Sequence, residues 1–190
     1  MLAQLFYQIL DWIFGFLTLA LLARCLMQWA RAPFRNPLGE FIFAVTDWAV
    51  KPTRRVIPSA FGVDLPSLVL AWLTQAALHG LLMLLNGSLS LMPTSIGLIG
   101  LVALIAVLRI ALYLLTGVVI VSAPLSWINP HAPLAPIFNA IAGPFLRPFQ
   151  RLIPLIGGVD LSPMALLLVL QILLTVLAAG QRSLFPLFAG

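Results

Sequence analysis

Four runs of apolar residues, each about 18 to 25 long and almost free of charge, limit what this chain can fold into. A hydrocarbon layer about 30 Å thick is crossed by ~20 helical residues, and in lipid a helix satisfies its own backbone hydrogen bonds. The runs read as spans over Leu5–Leu26, Leu65–Leu85, Ile96–Val121 and Leu161–Ala179. With 62% hydrophobic and 8% charged residues in 190, a soluble domain has too little interior to hide the apolar surface. The fold class expected is an all-α integral membrane protein with four transmembrane helices.

The spans come in pairs. Lys51-Pro52-Thr53-Arg54-Arg55-Val56-Ile57-Pro58, leading to Gly62-Val63-Asp64-Leu65, recurs without a gap as Arg147-Pro148-Phe149-Gln150-Arg151-Leu152-Ile153-Pro154, leading to Gly158-Val159-Asp160-Leu161. Gln75 and Gln171 keep the same register deeper in each following span. An Asn-Pro turn precedes each copy, at Asn36-Pro37 and Asn129-Pro130. Short segments at Leu38–Val50 and Leu134–Leu146 read as helices lying in the membrane interface, with Phe41, Val45 and Trp48 on one side of the first. Pro52 is expected to end that helix. The chain divides into two parallel helix–interfacial loop–helix repeats, residues 1–90 and 91–190.

The net charge of +5 comes from basic residues gathered beside the spans, Arg24, Arg31, Arg35, Lys51, Arg54 and Arg55 in one loop and Arg147 and Arg151 in the other. That distribution fits membrane insertion, with both loops cytoplasmic and both termini outside, and argues against a nucleic-acid partner. Cys25 is the one cysteine, which excludes an intramolecular disulfide and a cysteine metal cluster. The first span has no positive n-region and is expected to stay.

The segment Arg147 to Pro163, as Arg-Pro-x-x-Arg-x-Ile-Pro-x-x-Gly-Gly-Val-Asp-Leu-Ser-Pro, resembles the signature of the YggT family of small bacterial membrane proteins and their plastid YlmG-type relatives. Asn129-Pro130 and Gln171 fit the same pattern. The first copy departs from it, with Phe61 for a glycine and Pro66-Ser67 for Ser-Pro. The resemblance implies a bacterial inner-membrane protein tied to osmotic stress, ion uptake, cell division or, in plastids, cytochrome assembly. It implies no enzyme chemistry and no cofactor.

Candidate sites follow from charge and polarity. Lys51, Arg54, Arg55, Arg147 and Arg151 suit anionic lipid headgroups or a protein partner; their plainer role is to fix topology. Asp64, Asp160 and Ser162 read as helix-start caps, and Asp64 and Asp160 as alternative partners for Arg55 and Arg151. Gln75 and His79, with Asn86, and Gln171 and Thr175, with Arg182, form matching polar stripes on the second and fourth spans. Such stripes line an ion path in an oligomer or serve as interhelical hydrogen bonds. Asp11 and Arg109 are intramembrane charges and candidates for a pair between the halves. His79 and His131 are too few and too scattered for a metal site. Two functions compete: a scaffold or assembly factor acting through basic loops, and an oligomeric component of ion homeostasis.

Overall fold

A computed structural model of the chain describes residues 2–60, 62–85, 93–128, 132, 134–153 and 160–184. Asn86, Asn129-Pro130, His131, Pro154, Gly158-Val159 and the side chain of Arg182 lie outside the described part, and the readings placed on them go no further.

Among the described residues the chain forms six helices: α1 (Leu2–Trp29), α2 (Pro37–Thr53), α3 (Leu65–Leu85), α4 (Pro93–Ile128), α5 (Ala135–Leu152) and α6 (Ser162–Leu184). α1, α3, α4 and α6 are long and apolar enough to cross a membrane. Their outer surfaces carry Trp12, Ile13, Leu104, Leu168 and Val176, all exposed. Lipid is the environment that makes such a surface stable, and the protein is a multi-pass membrane protein.

α1 ends without the usual glycine. The Ala32 N–H returns to Met27 O at 2.9 Å and the Arg31 N–H to Gln28 O at 3.1 Å, with Arg31 at φ +52°. This is the left-handed closure that satisfies the last carbonyls of a helix. Asn36 then starts α2: its side-chain oxygen accepts the Gly39 N–H at 2.8 Å, and Pro37 takes the first helical position. A Cβ at Gly39 would run into the Phe34 carbonyl, so only glycine lets the link fold this tightly over the cap.

α2 presents Gly39, Ile42, Thr46 and Val50 to the bundle and leaves Phe41 and Trp48 exposed. That is the arrangement expected of an interfacial helix. Pro52, however, does not end α2, which runs on to Thr53; α5 likewise continues through Pro144 and Pro148 to Leu152. Pro52 lies in the last turn, where few bonds remain to lose, and the Thr53 hydroxyl bonds back to Ala49 O at 2.8 Å.

α1 packs on α3, and α4 on both α5 and α6, so each half is a three-helix unit. The halves meet along α3 and α4, where Trp72 Nε1 donates to Gly100 O at 2.9 Å. A second seam joins them at the end that carries α2 and α5. There Met27, Ile42, Val119, Ile137, Ile141 and Leu166 share one core, and Trp29 meets Phe145 with ring centroids 5.6 Å apart.

Candidate functional site

Polar atoms concentrate where α1, α2 and the start of α3 meet. Arg24 sits within the first span, and its side chain is 4% exposed. A buried guanidinium costs several kcal/mol unless it is paired, so its surroundings are constrained. One terminal nitrogen donates to Asp47 Oδ1 at 2.7 Å and to the Thr46 hydroxyl at 2.8 Å. Its Nε lies 3.3 Å from Asp64 Oδ2, an ion pair without hydrogen-bond alignment. The Phe43 ring lies beneath the guanidinium, 4.7 Å from Cζ to centroid, and Phe34 stacks on Phe43.

Asp64 is the second centre and is fully buried. It accepts the Ser67 hydroxyl at 2.8 Å, and Arg54 approaches its other oxygen at 3.0 Å. Lys51 closes on Asp47 at 2.7 Å, one helical turn away. The result is a chain of alternating charge, Lys51–Asp47–Arg24–Asp64–Arg54, with each acid between two bases. Burial alone would raise the Asp47 pKa, but hydrogen bonds from Lys51 and Arg24 outweigh it and hold the carboxyl below the usual range.

This geometry corrects two readings. Asp64 pairs with Arg24 and Arg54 in place of Arg55, because one residue along the end of α2 turns a side chain away from α3. The Asp64 carboxylate is spent on side chains: Arg24, Arg54 and the hydroxyls of Ser67 and, at 3.4 Å, Ser59. Asp160 does cap, accepting the Ser162 N–H at 2.8 Å, and takes Gln150 Nε2 at 2.9 Å. Burial would raise its pKa, but donors on Ser162 and Gln150 bring it below the ordinary value. Ser162 opens α6 rather than capping it, and its buried Oγ lacks an aligned partner.

The intramembrane readings divide. Gln75 is buried and donates to the Thr18 hydroxyl on α1 at 2.9 Å, while Thr18 donates to Phe14 O. His79 Nδ1 sits 2.8 Å from Gln75 O. This stripe is therefore an interhelical bond between α1 and α3. Gln171 and Thr175 instead lie on the exposed face of α6, with the Thr175 hydroxyl bonded to Gln171 O. The Asp11–Arg109 pairing gives way to a different one: Arg109 donates to Gln181 Oε1 on α6 at 3.1 Å, and Asp11 is on the exposed side of α1. Lys51, Arg55, Arg147 and Arg151 are all exposed.

Arg24, Thr46, Asp47 and Ser67 were missed as a site. Their signal was the presence of Arg24 inside an apolar run, which demands an acid nearby. Among the described residues no three His, Cys, Asp or Glu side chains gather where they would hold a metal.

Comparison with known proteins agrees with the duplication. The CCB3/YggT family model matches residues 3–85 and again 101–181. The chain is 33% identical over 174 residues to "Uncharacterized protein YggT" of Escherichia coli K12, covering 89% of each chain. It is 37% identical over 163 residues to "Uncharacterized protein PA0392" of Pseudomonas aeruginosa, covering 82% of this chain and 79% of that one. A protein of Vibrio alginolyticus is 33% identical over 162 residues, covering 84% and 85%. No solved structure matches. Two matches in tandem, on the two halves that share the fold, establish that the chain belongs to the CCB3/YggT family.

Proposed function

We propose that the protein is a membrane-embedded scaffold or assembly factor whose working surface is the end bearing α2 and α5. The observation that carries this reading is that Lys51, Arg55, Arg147 and Arg151 are exposed there while Asp47 and Asp64 are paired with Arg24, Lys51 and Arg54. Exposed Trp48, Val56 and Leu152 accompany them. A surface of basic and apolar side chains suits the headgroup layer, where each Lys or Arg contributes about 1 kcal/mol toward anionic lipid. Positive charge at this end supports a cytoplasmic orientation in a bacterial inner membrane, with both termini outside, as part of the same reading.

The test is photo-cross-linking from positions beside Arg55 and Arg151 in cells. Capture of a discrete protein, or of anionic over zwitterionic lipid, supports the scaffold. Capture of lipid in bulk proportion, unchanged in Arg55→Gln/Arg151→Gln, overturns it.

A second reading has its own observation. Gln171 and Thr175 are exposed among Leu168, Ile172 and Val176 on α6, where a lone amide in lipid is costly. Association of copies through α6 would bury them and form a polar seam, an ion-homeostasis role that depends on assembly. Potassium flux in liposomes that disappears in Gln171→Leu supports it; absence of flux from a folded oligomer removes it.

A further inference from the structure

The two halves permit a position-by-position comparison. Thr18 on α1 and Thr116 on α4 each donate to the carbonyl four residues back, Phe14 O and Leu112 O. Carried six residues on, this register sets Ser122 where the first half has Arg24. The duplicated motif sets Asn139 at the place of Phe43, Gly143 at Asp47, Gln150 at Arg54 and Asp160 at Asp64. The two arginines of the first-half cluster, Arg24 and Arg54, have thus been replaced by neutral residues, Lys51 alone keeps a cationic counterpart in Arg147, and one carboxylate remains.

The second-half residues line a partly open cavity. Ser122, Asn139, Gly143, Gln150 and Asp160 line a space of about 240 Å³ between α4, α5 and the start of α6. Its lining positions match those that hold the Arg24 guanidinium in the first half, and among the described residues Asp160 is the charged side chain lining it. Beside it the Ser162 hydroxyl is fully buried without an aligned hydrogen-bond partner.

We propose that this cavity binds a guanidinium group. Each Asp160 oxygen accepts one aligned internal hydrogen bond, from Ser162 N–H and Gln150 Nε2, and the Ser162 hydroxyl, although not aligned, also acts on the carboxyl. A carboxylate oxygen accepts about two, so the carboxylate keeps acceptor capacity beyond its two aligned bonds, which a planar guanidinium fork can use. The Ser122 hydroxyl donates to Val119 O and keeps its own lone pairs for a donor. A single negative charge with neutral oxygens around it balances a monocation, not a divalent metal. The volume also exceeds by more than tenfold the ~10–15 Å³ that one water requires, so a bare inorganic ion leaves most of it empty. The guanidinium comes either from a small solute or from an arginine of another chain, and the chemistry at Asp160 is shared.

The experiment uses the full chain in nanodiscs, titrated with methylguanidinium chloride against methylammonium and potassium chloride at equal ionic strength. Methylguanidinium is expected to raise Tm saturably, by about 3 to 5 °C at tenfold its Kd, with little response to the other cations. Ser122→Arg supplies an internal guanidinium, so it should raise Tm and abolish the methylguanidinium response. Asp160→Asn should abolish the response too; should it fail to fold, Gly143→Leu, which fills the cavity, serves in its place. Loss of oligomers on adding methylguanidinium assigns the group to an arginine of a second copy. Binding by a monomer assigns it to a solute. An equal response to potassium, no response from folded wild type, or a response that persists in Ser122→Arg overturns the proposal.

Discussion

In the first half of the molecule the carboxylate that precedes a spanning helix is sealed under two arginines, whereas in the second half its counterpart stands half-exposed beside a cavity. Asp64 is fully buried, with Arg24 at 3.3 Å and Arg54 at 3.0 Å; Asp160 has a backbone N–H and an amide. The two halves repeat the same order of long, short and long helix, and a few substitutions distinguish the two sites. Burial of an ion pair contributes little net stability, because desolvation offsets the Coulomb attraction. It does fix geometry: a guanidinium touching Thr46, Asp47 and Asp64 ties α1, α2 and α3 into one unit. One half of the duplication is locked by its own charges, and the other keeps the same place open.

The largest expected effect comes from breaking the lock. Arg24→Leu takes one of two cations from part-exposed Asp47 and from buried Asp64, leaving Lys51 and Arg54, and should cost up to about 3 kcal/mol. Ser122→Ala, at the matching place, should cost less than ~1 kcal/mol, since only its bond to Val119 O is lost. Unfolding by heat or SDS in micelles compares the two. Equal losses would remove the asymmetry. Arg24→Leu combined with Asp64→Leu should recover part of the loss, because the uncompensated charge goes with it.

The next comparison is within the membrane. Gln75→Leu loses the bond to Thr18 and should cost about 0.6 to 2 kcal/mol, the range for interhelical hydrogen bonds in lipid. Gln171→Leu should be neutral or slightly stabilising in a dispersed monomer, since it removes an exposed amide from the lipid-facing side of α6. The same unfolding assay at high detergent-to-protein ratio separates them. A loss at Gln171 that appears only at high protein concentration would instead locate it in a contact between copies.

These contrasts show what could and could not be read in the residues. The spans were legible because ~20 apolar residues in a row have few other fates, and α3 runs over the Leu65–Leu85 expected of it. The duplication was legible from Asp64/Asp160 and Gln75/Gln171 alone. What the two glutamines do was not, because equal register does not guarantee equal neighbours: Thr18 faces Gln75, while Gln171 turns outward. The choice of Arg54 over Arg55 for Asp64 depends on how far α2 continues past Pro52, which a single-residue rule for proline misjudges.

A smaller effect belongs to the turn after α1, which has glycine-like geometry without glycine. Arg31 holds φ +52°. Glycine adopts that region without steric cost, so Arg31→Gly should stabilise the first half by about 0.5 to 1 kcal/mol. If stability instead falls, Arg31 makes a contact that outweighs the strain.

The acid limb gives the finest comparison. Asp47 and Asp160 both have folded pKa values below the ordinary 3.8, Asp47 against Lys51 and Arg24, Asp160 against Ser162 and Gln150. A depressed carboxyl binds its proton later in the folded chain than in the unfolded one. Its stabilisation is therefore fully present above 3.8 and is lost as pH falls through the lower folded value. Stability should be level from about pH 7 to 5 and decline below about pH 4. Asp47 is held by two cations and Asp160 by neutral donors alone, so salt separates them. Added salt screens the exposed Lys51–Asp47 contact and should flatten the decline in Asp160→Asn, where Asp47 still titrates. It should leave the decline in Asp47→Asn nearly unchanged, because hydrogen bonds from an amide and a backbone N–H are not screened.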